Sequence, residues 1–556
     1  AKQDNIDMDT PWKDLPEDVR ETIFRGGEGF YGVDDFFNEL EGKRYKLHVR
    51  VFLSRYRKAS ACPDCGGKRL SPEALAYRIS GRDIAELTNM NIGKLEGFFH
   101  DIDLPLMARD TVAEVLKQIE IKLRFLNRVG LDYLSLDREG KTLSGGEYQR
   151  VNLSNQLASG LVGTLCVLDE PTVGLHMRDT DRITGIMGEL ASVGNTVVVV
   201  EHDLDVIGSS DWVVELGPGG GHLGGNVIFS GKMKEFLASD TVTARSLVDP
   251  QPASVLTGKT RKPRMSPGSK NPSNKITLTG ATGHNLKCIK AEVPLGALSV
   301  VTGVSGSGKS TLIVDTLFPA LKKELRIATP EEPLPFKALT GYETLKNVKL
   351  IDQSPIGKSP RSNPVTYLKV FDAIRKLFAE EYASKAHGYT TGFFSFNVPG
   401  GRCETCKGEG YQKMEMYFFE DLYITCEDCG GTRYGHKALS VLHKGKRIDE
   451  VLAMTVDEAL SHFGQVSQIR KKLGLMGDVG LGYLRLGQPA TTLSGGEAQR
   501  LKLCAELGSG KQTDTLYLLD EPTVGLHSTD ISVLMKVIDR LVDAGNTVLI
   551  IEHNPD

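Results

Sequence analysis

Apolar residues along this chain come in short, dense runs, each closed by a charged or glycine-rich stretch. ALSVVT (297–302), LYLLDE (516–521) and TVLIIEH (547–553) are apolar pieces of strand length, as are LCVLDE (165–170) and VVVV (197–200). Runs this short read as strands, LYLLDE as a buried one that delivers two carboxylates at its end. The run at 297–302 leads into GVSGSGKST and then a helical pattern, and LSGGE precedes a helix in two places. Residues 407–425 behave differently. From Gly410 they alternate, with Gln412, Met414, Met416 and Phe418 on one face and Tyr411, Lys413, Glu415 and Tyr417 on the other, which predicts a hairpin turning near Glu420 and Asp421. Residues 249–274, rich in Pro, Ser, Gly and Lys, show no apolar period and read as an exposed linker.

The pattern occurs twice. TLSGGEYQR (142–150) returns as TLSGGEAQR (492–500), LCVLDEPTVGLH (165–176) as LYLLDEPTVGLH (516–527), and GNTVVVVEHD (194–203) as GNTVLIIEHN (545–554). The Asp-to-His spacing is 33 residues in both copies, from 169 to 202 and from 520 to 553. CPDCGGKRLSPEALAY (62–77) pairs with CEDCGGTRYGHKALSV (426–441). The second copy also has an earlier Cys-x-x-Cys and a phosphate loop. By register their counterparts in the first copy are expected upstream of Ala1, and the second copy is expected to continue past Asp556.

Each motif has its own chemistry. In Gly303-x-x-x-x-Gly308-Lys309-Ser310, after a strand and before a helix, glycines let backbone N–H groups converge on phosphates while the helix start adds partial positive charge. Lys309 then contacts the β- and γ-phosphates and Ser310 binds Mg²⁺. Asp520 and Glu521 close a buried strand, suited respectively to holding Mg²⁺ through water and to orienting or deprotonating the attacking water. His553 ends the next strand within reach of a γ-phosphate, and His202 stands at the same spacing. LSGGE offers a hydroxyl and two glycine N–H groups at a helix start. It is an anion surface without a lysine, fit to complete a nucleotide site that belongs to the other copy.

Six of the nine cysteines form three Cys-x-x-Cys pairs. Cys403, Cys406, Cys426 and Cys429 have the spacing of a four-thiolate zinc site, and Cys62 and Cys65 form half of another. A purely structural staple and a part in function both remain open for this module. Cys-x-x-Cys pairs favour metal ligation over disulfides in a reducing compartment, and the first residues have neither a basic nor an apolar segment, which together point to a cytoplasmic protein. Residues 42–62 interleave Lys43, Arg44, Lys46, Arg50, Arg55, Arg57 and Lys58 with Tyr45, Phe52 and Tyr56, which reads equally as a track for phosphates or as a solvated helix face. A net charge of −4 over 556 residues provides no global basic field, and no apolar run approaches the roughly 18 residues of a membrane span.

These residues resemble the ABC-type ATPases, in which nucleotide lies between the phosphate loop of one half and the signature loop of the other. The resemblance implies an α/β fold of tandem P-loop nucleotide-binding domains with helical signature subdomains and zinc-module insertions. Transferred position by position, one composite site comprises Gly303, Val304, Ser305, Gly306, Ser307, Gly308, Lys309, Ser310, Thr311, Gln353, Asp520, Glu521 and His553, closed by Ser144, Gly145, Gly146 and Glu147. A second has Asp169, Glu170 and His202, faced by Ser494, Gly495, Gly496 and Glu497, without a phosphate loop in this chain. On this plan residues 1–140 are a helical and insertion part with half a zinc module, and 141–248 complete the first nucleotide-binding domain. After the linker, 275–355 begin the second, 356–480 are its zinc-bearing insertion, and 481–556 supply its signature, Walker B strand and switch histidine.

DQSPIGKSPRSNP (352–364), FSFNVPGGRCETCKGEG (394–410) and LRLGQPATTLSGGEAQR (484–500) narrow the resemblance to the UvrA family of bacterial nucleotide excision repair. That likeness implies a homodimer using ATP, ADP, Mg²⁺ and Zn²⁺, which scans double-stranded DNA for damage and loads UvrB before incision by UvrC. Two other classes share parts of the pattern. A transporter ATPase subunit has the nucleotide motifs but no use for a zinc insertion, and a UvrA-like resistance or drug-sequestering paralogue differs in regions this chain does not include.

Overall fold

The structure, a computed structural model, describes residues 10–27, 31–54, 56, 62–140, 143, 145–158, 160, 162–172, 174–175, 177–219, 224–249, 274–304, 306–329, 331–357, 359–414, 422–508, 513–524, 526 and 528–553. Ser144, Ser305, Arg55, Arg57, Lys58 and almost all of the expected linker lie outside the described residues. The chain forms two compact units, Ala1–Leu87 and Thr88–Asp556.

In the first unit, helices Val33–Gly42 and Leu47–Ser54 pack through a small aromatic cluster in which Phe36 meets Phe52 edge-on at 6.1 Å, and Phe24 of the helix Glu17–Arg25 meets Trp12 edge-on at 5.6 Å. The basic stretch is partly neutralised there. Lys43 pairs with Glu39 at 2.5 Å and Arg44 with Glu41 at 3.6 Å, one helical turn apart.

The second unit has the tandem α/β plan. In its first half β1 (Leu165–Asp169) and β2 (Thr196–Val200) run parallel, followed by the antiparallel pair β3 (Trp212–Gly217) and β4 (Asn226–Lys232). The second half opens with β5 (Lys275–Ala281), β6 (Ile289–Pro294) and β7 (Leu298–Val301), then β8 (Ala338–Thr340) and β9 (Asn347–Ile351). A short hairpin follows, β10 (Tyr411–Met414) with β11 (Leu422–Thr425), and β12 (Thr515–Asp520) and β13 (Thr547–Ile551) complete the set. β7, β13, β12 and β9 make a four-stranded parallel sheet in that order, beside the antiparallel sheet β6-β5-β8.

The apolar runs of β12 and β13 are buried throughout because both faces of their sheet are covered. Leu516, Leu518, Leu549 and Ile551 enter one core with Ile276, Leu278, Ile313 and Phe318. Tyr517, Leu519, Val548 and Ile550 enter another, shared with Phe371, Phe396 and Tyr434 of the insertion and Leu501 of the signature helix. The sheet is thus the partition between the nucleotide-side core and the insertion core. β1 and β2 repeat the register of β12 and β13 residue for residue, yet among the described residues no strand pairs with either outer edge. Leu165 and Val167 are 62% and 60% exposed, where Leu516 and Leu518 are buried under the face-packing residues Ile276, Leu278, Ile313 and Phe318.

All four parallel strands end on one edge. β7 stops before the phosphate loop, β9 before Asp352 and Gln353, β12 at Asp520 and β13 before Glu552 and His553. Carboxyl ends of strands in an open α/β sheet are where ligands bind. β10 and β11 pair from Tyr411↔Thr425 to Met414↔Leu422, symmetric about position 418, so the reversal expected near Glu420 and Asp421 lies outside the described residues. Among the described residues no helix is long and apolar enough to cross a membrane.

Phe396 is fully buried and stacks on Phe371 at 5.1 Å. Phe396→Ala is expected to cost about 3–5 kcal/mol, read as a fall in the denaturation midpoint; a midpoint equal to wild type contradicts this core assignment.

Candidate functional site: a nucleotide pocket between two halves

The phosphate loop is held open from within. Gly303, Gly306 and Gly308 have φ of 151°, 74° and 100°, a sequence of positive angles that side chains resist. Lys309 is 8% exposed, and its Nζ donates to the carbonyls of Gly303 at 2.8 Å and Val304 at 3.0 Å. Burial holds its pKa below the ordinary lysine value, against the pull of Glu521, Asp520 and Asp179. Ser310 lies exposed at the start of the helix. Asn285 donates from Nδ2 to the carbonyl of Gly306 at 2.8 Å, a support that a solitary Asn in GHNLK did not announce.

Beside the loop stands the acidic strand end. Burial first, then the charges of Glu521 and Asp352, push Asp520 up to about 7, and its buried Oδ1 has no hydrogen-bond partner. An orphaned carboxylate oxygen next to a phosphate loop fits a divalent cation. Glu521 has φ of +47° and its first-half counterpart Glu170 +44°, the same left-handed turn after each strand. His553 Nε2 lies 3.3 Å from Glu521 Oε1, and His202 Nε2 lies 3.8 Å from Glu170 Oε1. Burial raises the Glu170 carboxyl against the attraction of His202. Gln353 donates to the Glu521 carbonyl at 3.2 Å, and Lys502 from the signature helix grips the Asp352 carboxylate and, at 2.7 Å, Ser354 Oγ.

The signature helices Gly145–Ala158 and Gly495–Gly508 start alike. Tyr133 donates to Glu147 at 2.7 Å and Tyr483 to Glu497 at 2.7 Å. Gln149 and Gln499 tie each helix to its own Walker B strand, at the carbonyls of Asp169 (3.0 Å) and Asp520 (2.8 Å). The repeated Gln in GGEYQR and GGEAQR was the available signal for that tie. Ser494 and Glu497 form a reciprocal cap at 2.9 and 3.2 Å. A methyl group on Gly495 would stand 3.0 Å from Gln353 Oε1 and one on Gly496 3.1 Å from the Val524 carbonyl, so these contacts stay within the second half.

The two halves meet at the pocket. A methyl group on Gly306 would lie 3.0 Å from the Tyr133 ring, and one on Gly174 would lie 3.1 Å from Glu521 Oε2. Tyr133 and Gly174 belong to the first half, Gly306 and Glu521 to the second. The structure therefore brings Tyr133, the hydrogen-bond partner of Glu147 at the start of the first signature helix, onto the second half's phosphate loop. Asp169, Glu170 and His202 gather at the first half's own strand ends.

The cysteine module sits in the insertion. The sulfurs of Cys403, Cys406, Cys426 and Cys429 all lie within 4.8 Å of one another, and Cys406 to Cys429 is 3.7 Å. Tetrahedral zinc with bonds near 2.3 Å spaces its sulfurs about 3.8 Å apart, so the donor set fits that ion. Burial pushes the Cys406 thiol up to about 12 and raises Cys429, so a bound cation must displace those protons. Arg433, beside the second knuckle, is buried under the Phe396 ring at 5.3 Å and donates to the Gly487 carbonyl at 3.1 Å, just before the signature. Arg361 reaches Glu409 of the first knuckle at 3.3 Å. Cys62 is exposed and Cys65 half-buried, and among the described residues no second pair joins them.

No family model matches the chain. UvrABC system protein A of Clostridium perfringens is 45% identical over 573 residues, covering 99% of this chain and 60% of that protein. The protein of the same name from Aquifex aeolicus is 48% identical over 559 residues, covering 99% and 59%. The crystal structure of UvrA2 from Deinococcus radiodurans superimposes with a TM-score of 0.81 at 37% identity, covering 99% of this chain and 70% of that one. The chain belongs to the UvrA family. It spans about three fifths of the length of the curated UvrA relatives it matches.

For this UvrA-family chain the four-sulfur cluster makes a direct expectation. Metal analysis of the purified protein is expected to find zinc that Cys406→Ser loses from the insertion, together with a lower unfolding temperature; unchanged zinc content in that variant rules the cluster out as its site.

Proposed function

We propose that the chain is the ATP-hydrolysing, DNA-binding part of a UvrA protein, which recognises damaged or distorted duplex and delivers it to UvrB. The observation that carries this reading is the approach of Tyr133 to Gly306 and of Gly174 to Glu521 across the two halves, because it supplies a nucleotide site that neither half completes alone. The family membership and the four-sulfur cluster support it.

In this reading the N–H groups of 303–311 and Lys309 hold the phosphates of ATP, and Lys309 exchanges its internal carbonyl partners for phosphate oxygens. Ser310 and Asp520 would hold Mg²⁺, which would supply positive charge against the phosphates. Glu521 orients or deprotonates the attacking water, with its carboxylate steadied by His553 and its backbone by Gln353. Gly145, Gly146 and, as read from the sequence, Ser144 close over the γ-phosphate. Asp169, Glu170, His202 and Ser494–Glu497 serve the sister site. Cys403, Cys406, Cys426 and Cys429 would hold zinc, a brace for the insertion, which Arg433 and Arg361 connect to the segments flanking signature and Gln353. Release of γ-phosphate then reaches the insertion as a displacement. A sensor of many lesions grips phosphates and tests deformability instead of reading base edges. We place the protein in the cytoplasm as a homodimer.

Glu521→Gln is expected to lower kcat for ATP by about 10²–10⁴-fold while nucleotide still binds, and a kcat near wild type refutes the assigned base. Lys309→Ala is expected to abolish discrimination between damaged and intact duplex in equilibrium binding; unchanged discrimination refutes the coupling of nucleotide to DNA. The likeness to UvrA2 motivates a second reading, a paralogue that does not hand lesions to UvrB. Capture of UvrB by the full-length protein supports the repair role, and failure to capture it supports the paralogue.

A further inference from the structure

The two halves approach their signature helices through aligned segments, LDYLSLDREGKTLSGGE (131–147) and LGYLRLGQPATTLSGGE (481–497). Tyr133 and Tyr483 occupy one position, Glu147 and Glu497 another, and each tyrosine makes the same 2.7 Å hydrogen bond to its glutamate. What stands beside the glutamate differs. In the first half it is Arg138, whose guanidinium lies 3.8 Å from Glu147 Oε2; the aligned residue in the second half is the neutral Gln488.

The position of this charge matters because Glu147 is almost fully buried and its tyrosine is the residue that covers Gly306 of the opposite phosphate loop. Glu147 is therefore fixed from two sides, by a phenol that touches the other half and by a cation that is itself partly exposed. Arg138 also faces the second half's Asp315, on the turn behind the phosphate loop. Burial raises the Asp315 carboxyl, and the charges of His284 and Arg138 oppose that rise, with Glu331 adding to it.

We propose that Arg138 is a positioning residue for the second half's nucleotide site: by orienting Glu147, and through it Tyr133, it seats the first half's signature on the second half's phosphate loop. The inference rests on the ATPase reading above and adds to it that the two composite sites are unequal, since the sister site is closed by Tyr483 and Glu497 with Gln488 in place of the cation. A partly exposed ion pair contributes modestly, so the effect on closure is on the order of tenfold and not an all-or-none loss.

The test uses the full chain and separates turnover from binding. Arg138→Gln is expected to lower kcat for ATP about tenfold while KM stays within about twofold, and Arg138→Lys, which keeps the charge, is expected to recover most of the loss. Glu147→Gln is expected to give a similar kcat loss, and combining it with Arg138→Gln to add little further. A wild-type kcat in Arg138→Gln, additive losses in the pair, or a fall in affinity that Lys does not restore overturns the inference. Where Arg138→Gln does not fold, Glu147→Gln alone decides, a wild-type kcat there being the overturning result. Lys309→Ala run in parallel reads the foundation: if it retains nucleotide at this site the ATPase reading fails, whatever Arg138 does.

Discussion

A triphosphate concentrates more negative charge than a single glycine loop and one lysine neutralise, and the architecture of this chain follows from where the remaining donors come from. In the proposed function they come from the opposite half. A Cβ at 306 would crowd the Tyr133 ring at 3.0 Å, and one at 174 would crowd the Glu521 carboxylate at 3.1 Å. Both glycines also have positive φ, 74° at 306 and 69° at 174, which other residues resist. Once the halves touch, a buried acidic strand end and a lysine held by its own loop lie beside residues of both halves.

The parallel sheet then works as a partition. One face packs the antiparallel strands and the helix behind the phosphate loop, and the other packs the zinc-bearing insertion and the signature helix. Contacts that join the pocket to the insertion run along the second face. Lys502 binds the loop that carries Gln353, Arg361 reaches the first cysteine knuckle, and Arg433 bridges the second knuckle to the stretch before the signature. Each is a charged group sunk into partly or fully buried surroundings, where loss of one partner is costly, which gives the segments few independent positions.

How much of this was legible in the sequence varies by the kind of contact. The phosphate loop, the acidic strand ends and the cysteine tetrad were readable because their chemistry is local or set by fixed spacing. The tandem repeat was readable because identical phrases return, and the register of β1 with β2 matches that of β12 with β13. Burial was not legible from apolar content: LCVLD repeats LYLLD, yet Leu165 and Val167 are exposed because, among the described residues, their face has no counterpart of the strands and helix that cover Leu516 and Leu518. Tyr133, Asn285 and Arg138 carried no signal, since their partners lie in segments brought close only by the fold. For the basic stretch, Glu39 and Glu41 stood one helical turn before Lys43 and Arg44, and the helical spacing was there to be used.

The central claim is that one nucleotide touches both halves at once. An ATP analogue with a photoreactive group on its γ-phosphate, cross-linked and mapped by peptide sequencing, measures this directly. The account expects label both in the peptide holding 303–311 and in the peptide holding Gly145 and Gly146. Label confined to the phosphate-loop peptide, at saturating analogue and Mg²⁺, would contradict it.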